Sequence, residues 1–196
     1  MKRLDTETRQ VLIKQAVQDI LSTEGMSKLS INNIALKVGV SEGAIYRHFK
    51  SKKEILLSII NDVFDNLVIK QQEVANSTLE PSKKLFTFFC KQINYLLHNK
   101  GITILLFSQA VHANDSYLKE QLLKVLQFQK DLLKQIVKEG VIQGLWSKQI
   151  DIDDFATFYM GIPAILNIEI VLSKENFNPE EFSNRMFVLL KRILNP

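Results

Sequence analysis

Residues 29–54 read LSINNIALKVGVSEGAIYRHFKSKKE, and no other stretch restricts the fold of this chain so tightly. Ser30 is placed to cap a helix, and Ile31, Ile34, Ala35 and Val38 follow it at helical spacing. Gly39 can take the left-handed conformation that ends such a helix without a Cβ clash. Ser41 then caps a second short helix, with Ala44, Ile45 and Phe49 facing inward. Ser51 and Glu54 make a capping box at the start of a longer helix, each side chain able to satisfy an orphan amide at the other. Ala35 is small where two helices must cross closely. This pattern is helix-turn-helix geometry, in which the first helix holds the second out where it can enter a DNA major groove.

The rest of the chain fits an all-α fold. Apolar residues recur at three- and four-residue spacing almost throughout, no sustained period-two alternation appears, and only seven Gly and four Pro supply turns in 196 residues. About nine helices are expected. The first spans 6–24 and is ended by Gly25, the helix-turn-helix pair follows, and a fourth runs from 51 to about 74. Others span 82–98, 102–112, 116–142, 153–173 and 179–194. Pro81 suits a helix's first position, and Asn178 before Pro179-Glu180-Glu181 is a start signal, with acidic groups at the positive end of the dipole. Two units are expected: a DNA-binding domain over 6–66, with its helix-turn-helix at about 30–49, and a C-terminal ligand-binding and dimerisation domain over 67–196.

Charge agrees with a nucleic-acid partner. Residues 1–54 hold ten Lys/Arg against six Asp/Glu, so the net charge of +4 falls entirely on the segment with the motif. An ordinary basic surface would give the same count, so the motif carries the reading. The single cysteine, Cys90, excludes an internal disulfide and the multi-cysteine metal patterns, in keeping with a reducing cytosol. MKRLDTETRQ lacks the apolar run of a signal peptide, and a cytoplasmic location is expected. Residues 155–172 are nearly apolar over the shortest length that spans a membrane, but Pro163, Asn167 and Glu169 interrupt them. A helix apolar all round is expected here, buried in a core and at a subunit interface rather than in lipid.

Enzyme chemistry finds no support. The chain has no H-E-x-x-H, no phosphate-cradling glycine loop and no G-x-S-x-G elbow, and its histidines (His48, His98, His112) are too scattered for a metal site. No cofactor and no metal are expected.

The segment TRQVLIKQAVQDILSTEGMSKLSINNIALKVGVSEGAIYRHFKSKKEIL resembles the N-terminal domain of the TetR family of bacterial transcriptional regulators. The marks are an amphipathic first helix ending in Gly, I-A-x-x-V-G-V-S, the G-A-I-Y-x-H-F run and the following K-x-E. The resemblance covers residues 6 to about 60; beyond them only helix count and order agree. It implies a repressor that binds palindromic double-stranded DNA as a homodimer and is released by a small-molecule inducer, here of apolar character, held in the C-terminal domain. The alternative is a constitutive or architectural DNA-binding protein without a ligand.

Residue by residue, the resemblance and the chemistry of the positions point to a DNA-contacting set. Ser41 offers a peptide amide and hydroxyl at a helix N-terminus, which suits a phosphate oxygen. Gly43 and Ala44 lack bulk, so the helix can approach the groove floor, and the Ala44 methyl can meet a thymine methyl. In the family, positions matching Tyr46 and His48 contact phosphates, and the position of Arg47 reaches bases or backbone. Lys52 and Ser30 would clamp the flanking backbone. Glu42 stands where the family more often has a basic or neutral residue; accepting from a cytosine amino group and merely complementing the helix dipole both remain open. In the C-terminal half, Phe64, Phe89, Tyr95, Phe107, Phe128 and Trp146 are candidates to line the inducer pocket, although an aromatic stripe at helical spacing also fills a solid core. Phe158, Ile162, Ile165, Phe182, Met186, Leu189, Leu190 and Ile193 are expected to pack the last two helices into a four-helix bundle across a two-fold axis.

Overall fold

The computed structural model of the chain describes residues 5–99, 102–112, 114–173 and 178–195. Lys2 and Arg3, counted in the basic N-terminal segment, lie outside them. Ten α-helical segments appear among the described residues: α1 (Thr6–Thr23), α2 (Ile31–Val38), α3 (Glu42–Tyr46), α4 (Lys52–Val63), α5 (Ile69–Ala75), α6 (Pro81–His98), α7 (Ile102–His112), α8 (Ser116–Ile142), α9 (Ile152–Leu172) and α10 (Pro179–Leu194). A π-helical turn, Phe64–Val68, joins α4 to α5 without a break, so the ten segments form nine rods. The sequence periodicity locates this rod but not its π turn, and it also passes over the short 3-10 turn Met26–Lys28.

Local chemistry sets most of the helix ends. Asp5 caps α1 through Thr8 N, and Gly25 ends that region at φ 84° with its amide on the Ile20 carbonyl. Asn178 accepts from the amides of Glu180 and Glu181 at the start of α10. Ser51 accepts from Glu54 N at 3.2 Å, as its capping box requires. The return bond differs from the expected one: Glu54 Oε2 accepts from the Lys50 amide, one residue outside the cap, so the carboxylate straps the turn that precedes the helix.

Two apolar cores organise the rods. In the first, Ile13, Val17 and Ile20 of α1, Ile34 of α2, Ile45 of α3, and Ile55, Ile59 and Ile60 of α4 pack together. Ile102, Leu105, Leu106 and Ala110 of α7 and Leu118 of α8 join the same cluster, so the N-terminal helices rest on the C-terminal ones through a continuous apolar contact. The second core holds Phe88 and Phe89 of α6, Leu133, Ile136 and Val137 of α8, Tyr159 of α9 and Leu190 of α10. Buried Lys84 on α6 reaches the Ala75 carbonyl at the end of α5 (3.0 Å) and Glu139 on α8 (2.7 Å), which gives that cation both of its partners. Gly140 lies directly under the Trp146 ring, where a Cβ would collide with it.

Helix α9 is divided along its length. Phe155, Ala156, Tyr159, Pro163, Leu166 and Asn167 are buried, while Phe158, Ile165, Ile168, Val171 and Leu172 are exposed. Among the described helices it is the one long and apolar enough to cross a membrane by length and composition. Its buried face carries a proline and an asparagine, and its exposed face is continuous with apolar residues of α10.

Candidate nucleic-acid interface and ligand cavity

The presentation of α3 follows from backbone geometry. Gly39, at φ 74°, ends α2 with its own amide on Leu36 O and the Val40 amide back on Ala35 O, which turns the chain sharply. Ser41 Oγ then accepts from Ala44 N at 3.3 Å and starts α3 only a few residues later. Ser30 caps α2 in the same way through Asn33 N at 3.1 Å. Ile45 and Phe49 are buried and pin α3 to the first core, and Gln10 on α1 donates to the His48 carbonyl. Everything on the opposite side of α3 faces outward.

That outward side carries most of the expected DNA-contacting residues. Ser41, Glu42, Gly43, Tyr46 and Arg47 are exposed, with Tyr46 at 49% despite its size, and Ser30 is exposed on the neighbouring helix start. A tyrosine that packed between helices would be covered, so this one is held ready for contact from outside. Ala44 is half-buried, and a Cβ added at Gly43 would meet only the Ser41 hydroxyl, so no large side chain blocks close approach there. Among the described residues Arg47 and Lys52 have no side-chain hydrogen-bond or ion-pair partner, which leaves both cations available. Lys50, not singled out by sequence, shares that state and is exposed. His48 is half-buried with Nδ1 enclosed and unpartnered, so a phosphate contact by this ring runs through Nε2. Lys53 is committed elsewhere. It pairs with Asp115 at 2.8 Å and lies over the Tyr117 ring, tying the start of α4 to the N-cap of α8.

Behind this surface, a cavity of about 480 Å³ opens among α4, α6, α7, α8 and α9. Ile60, Val63 and Leu67 of the α4 rod form one wall, and Leu67 belongs to the π turn. Tyr95 and Phe107, two of the six aromatic candidates, line it. The other four do not. Phe89 packs edge-on to Tyr159 at 5.5 Å and over Phe182 at 6.4 Å inside the second core. Phe64 and Phe128 pack against each other at a tilt of 55°, centroids 5.6 Å apart, and neither lines the cavity. Trp146 is buried against Gly140. In their place the cavity takes three buried amides that sequence reasoning overlooked: Gln92, Gln129 and Asn167. The available signal was an amide on the mainly apolar buried stripe of each of three helices.

The expected subunit face is also redistributed. Phe158, Ile165 and Leu189 are exposed, and Ile162, Phe182 and Met186 are half-buried along a shallow groove between α9 and α10 that also contains Gly161. Ile193 is half-buried at a separate depression near the start of α9. Leu190 departs from expectation: it has 0% exposure and belongs to the protomer's own core, because its position on α10 points toward α6 rather than outward.

Comparison with known proteins agrees with this geometry. Residues 13–59 match the family described as bacterial regulatory proteins, tetR family. The chain is 24% identical over 183 residues to the nucleoid occlusion factor SlmA of Vibrio atlanticus, covering 93% of each chain. It is 22% identical over 139 residues to the HTH-type transcriptional repressor KstR2 of Mycolicibacterium smegmatis, covering 71% of this chain and 68% of that one. Among solved structures, the TetR-family regulator PfmR of Thermus thermophilus superposes with a TM-score of 0.81 at 19% identity, over 94% of this chain and 99% of that one. The regulator FadR of Bacillus subtilis, solved in complex with stearoyl-CoA, gives 0.76 at 20% identity over 92% and 96%.

Proposed function

We propose, from the premise that this chain is a DNA-binding transcriptional regulator of the TetR family, that it is a repressor whose operator affinity is set by an apolar effector in the α4–α9 cavity. The single observation that carries the reading is the α4 rod. Its capped start at Lys52 adjoins the exposed recognition surface, and Ile60, Val63 and Leu67 further along the same rod form a wall of the cavity. A ligand that changes the packing on that wall tilts the rod and moves the recognition helix with it. The π turn Phe64–Val68 lies where the cavity meets the rod, and loosely wound turns of this kind serve as hinges.

Two copies related by a two-fold axis would present their α3 helices to successive major grooves of a palindrome. The exposed apolar face of α9 and α10 supports that assembly, and Gly161 lets a facing helix come close. Ligand and DNA then compete by favouring different spacings between the two α3 helices, with a reciprocal coupling of about 1–3 kcal/mol. Within this reading, residues 6–66 are the DNA-binding unit and 67–196 the ligand and dimer unit, and the protein works in the cytoplasm. The fold neighbour crystallised with stearoyl-CoA supports an effector with a long apolar part.

A second reading is a constitutive DNA-binding protein that acts without release by an effector; one relative carries the name nucleoid occlusion factor rather than repressor. The two separate in a mobility-shift titration of a bound genomic fragment. Repeated with a saturating compound that raises the protein's melting temperature, it shows weakened operator binding for the repressor and unchanged binding for the second reading. Both predict two chains per symmetric site and an affinity that falls steeply with salt, since each neutralised phosphate releases counterions. One chain per fragment, or binding indifferent to salt, would remove the dimeric, phosphate-anchored mode.

A further inference from the structure

The cavity wall is mostly apolar; its polar side chains are Thr103, Tyr95, Lys119 at the rim and the three buried amides, whose hydrogen bonding is incomplete. Gln129 Nε2 donates to Gln71 Oε1 at 2.8 Å, and Gln71 Nε2 reaches Gln92 Oε1 at 3.5 Å. Three amides joined by two such bonds leave an unused donor at one end and an unused acceptor at the other, whichever way the chain runs. Here Gln92 keeps Nε2 and Gln129 keeps Oε1, and both side chains line the cavity. Asn167 adds a third group. It is 3% exposed, it lines the same cavity, and its Oδ1 is buried without a hydrogen-bond partner. One turn earlier on α9, Pro163 also faces the cavity and has no amide to give the Tyr159 carbonyl. An enclosed acceptor left unpaired costs free energy that a ligand's donor restores.

Charge narrows the ligand further. The ionisable side chains on the cavity wall are Tyr95 and Lys119. Burial pushes the Tyr95 phenol well above its ordinary range, so it stays neutral. Lys119 is exposed at the rim, with its Nζ on Asn114 Oδ1 at 2.8 Å. Among the described residues no buried cation lines the cavity beside the amides, and an anion driven in there would meet no counter-charge from them.

We propose that the cavity selects a mainly apolar molecule whose buried end is a neutral hydroxyl or amide that donates to Asn167 Oδ1, with the free groups of Gln92 and Gln129 lining the same polar wall. This rests on the reading of the cavity as the effector site. It distinguishes the ligand from a carboxylate, and from a thioester whose only polar groups lie outside.

The test is a competition titration with four probes of one chain length: dodecan-1-ol, dodecyl methyl ether, dodecanoate and dodecanoyl-coenzyme A, on the wild-type protein and on Asn167→Leu. The alcohol is expected to bind the wild type about ten-fold more tightly than the ether, which keeps the oxygen but lacks the donor. Asn167→Leu should abolish that preference, with circular dichroism and thermal melting reporting that the variant is folded. The wild-type ratio stands by itself should the variant not fold. Equal affinity for alcohol and ether, or tightest binding of the carboxylate or the thioester, would overturn the neutral-donor assignment and leave the effector site intact. Failure of all four probes to bind would overturn both.

Discussion

Arg47 is exposed and without a partner on the outer side of α3, where its fork can meet a guanine edge in two places. Arg47→Ala is expected to relax preference at one base pair per half-site by about 1–3 kcal/mol, read by comparing operators altered at that position. Lys52→Ala should instead weaken specific and random DNA alike and lower the salt slope by about one, because a phosphate contact carries no sequence information. Equal loss on both kinds of DNA for Arg47→Ala would make it a backbone contact. The helix-turn-helix frame that presents these residues was legible in the sequence because caps, a left-handed glycine and a short apolar stripe are local signals, whereas their contact with DNA is what the resemblance implies. Asn167, Gln92 and Gln129 were not, since their meeting depends on how α6, α8 and α9 pack. For the same reason Phe89 and Trp146 were assigned to a pocket although each fills a core: helical spacing says which face a ring is on, not what lies opposite.

At the scale of elements, the α4 rod links recognition surface and cavity, and filling the cavity from the rod should imitate a ligand. Val63→Phe is expected to lower operator affinity by about 5- to 150-fold while the fold persists by circular dichroism. Unchanged affinity with a filled cavity would make the rod a rigid spacer. The Lys53–Asp115 link bears on the same coupling, because it ties the start of this rod to the cap of α8. The Lys53 ammonium beside Asp115, with the amides of Leu118 and Tyr117, holds that carboxyl below its ordinary value of 3.8. A carboxylate whose folded pKa is depressed contributes stability that is present above 3.8 and is lost as the pH falls below it through the folded value. Asp115→Asn should therefore flatten part of the acid limb of a stability-against-pH curve and leave its neutral region's slope unaltered. Gly140→Ala tests the second core separately: overpacking against Trp146 should cost about 1–3 kcal/mol in denaturant unfolding without changing DNA specificity. Most helix limits agree with the sequence periodicity to within a residue or so, since caps and prolines mark them. The π turn was invisible to it, because the buried positions 60, 63, 67, 71 and 74 step by three and four straight through that turn, as they would in an unbroken α-helix.

For the whole molecule, the uncovered apolar face of α9 and α10 is what a second copy would bury. Ile165→Glu combined with Leu189→Lys should yield monomers by sedimentation at micromolar concentration, and dimers that persist would move the interface elsewhere. Leu190 is left out of that test because it supports the protomer's own core. In the proposed reading dimerisation, operator symmetry and effector release would stand together, since each would depend on two α3 helices held at one spacing. The most direct test of that arrangement is sequencing of the genomic DNA fragments retained by the wild-type protein, with Arg47→Ala carried through the same selection. The expected result is one enriched palindrome with half-sites a helical turn or more apart, and a variant motif that keeps the spacing while losing information at one base pair in each half. Recovery of fragments with no shared motif, or of a single unpaired half-site, would contradict a dimeric regulator reading DNA through α3.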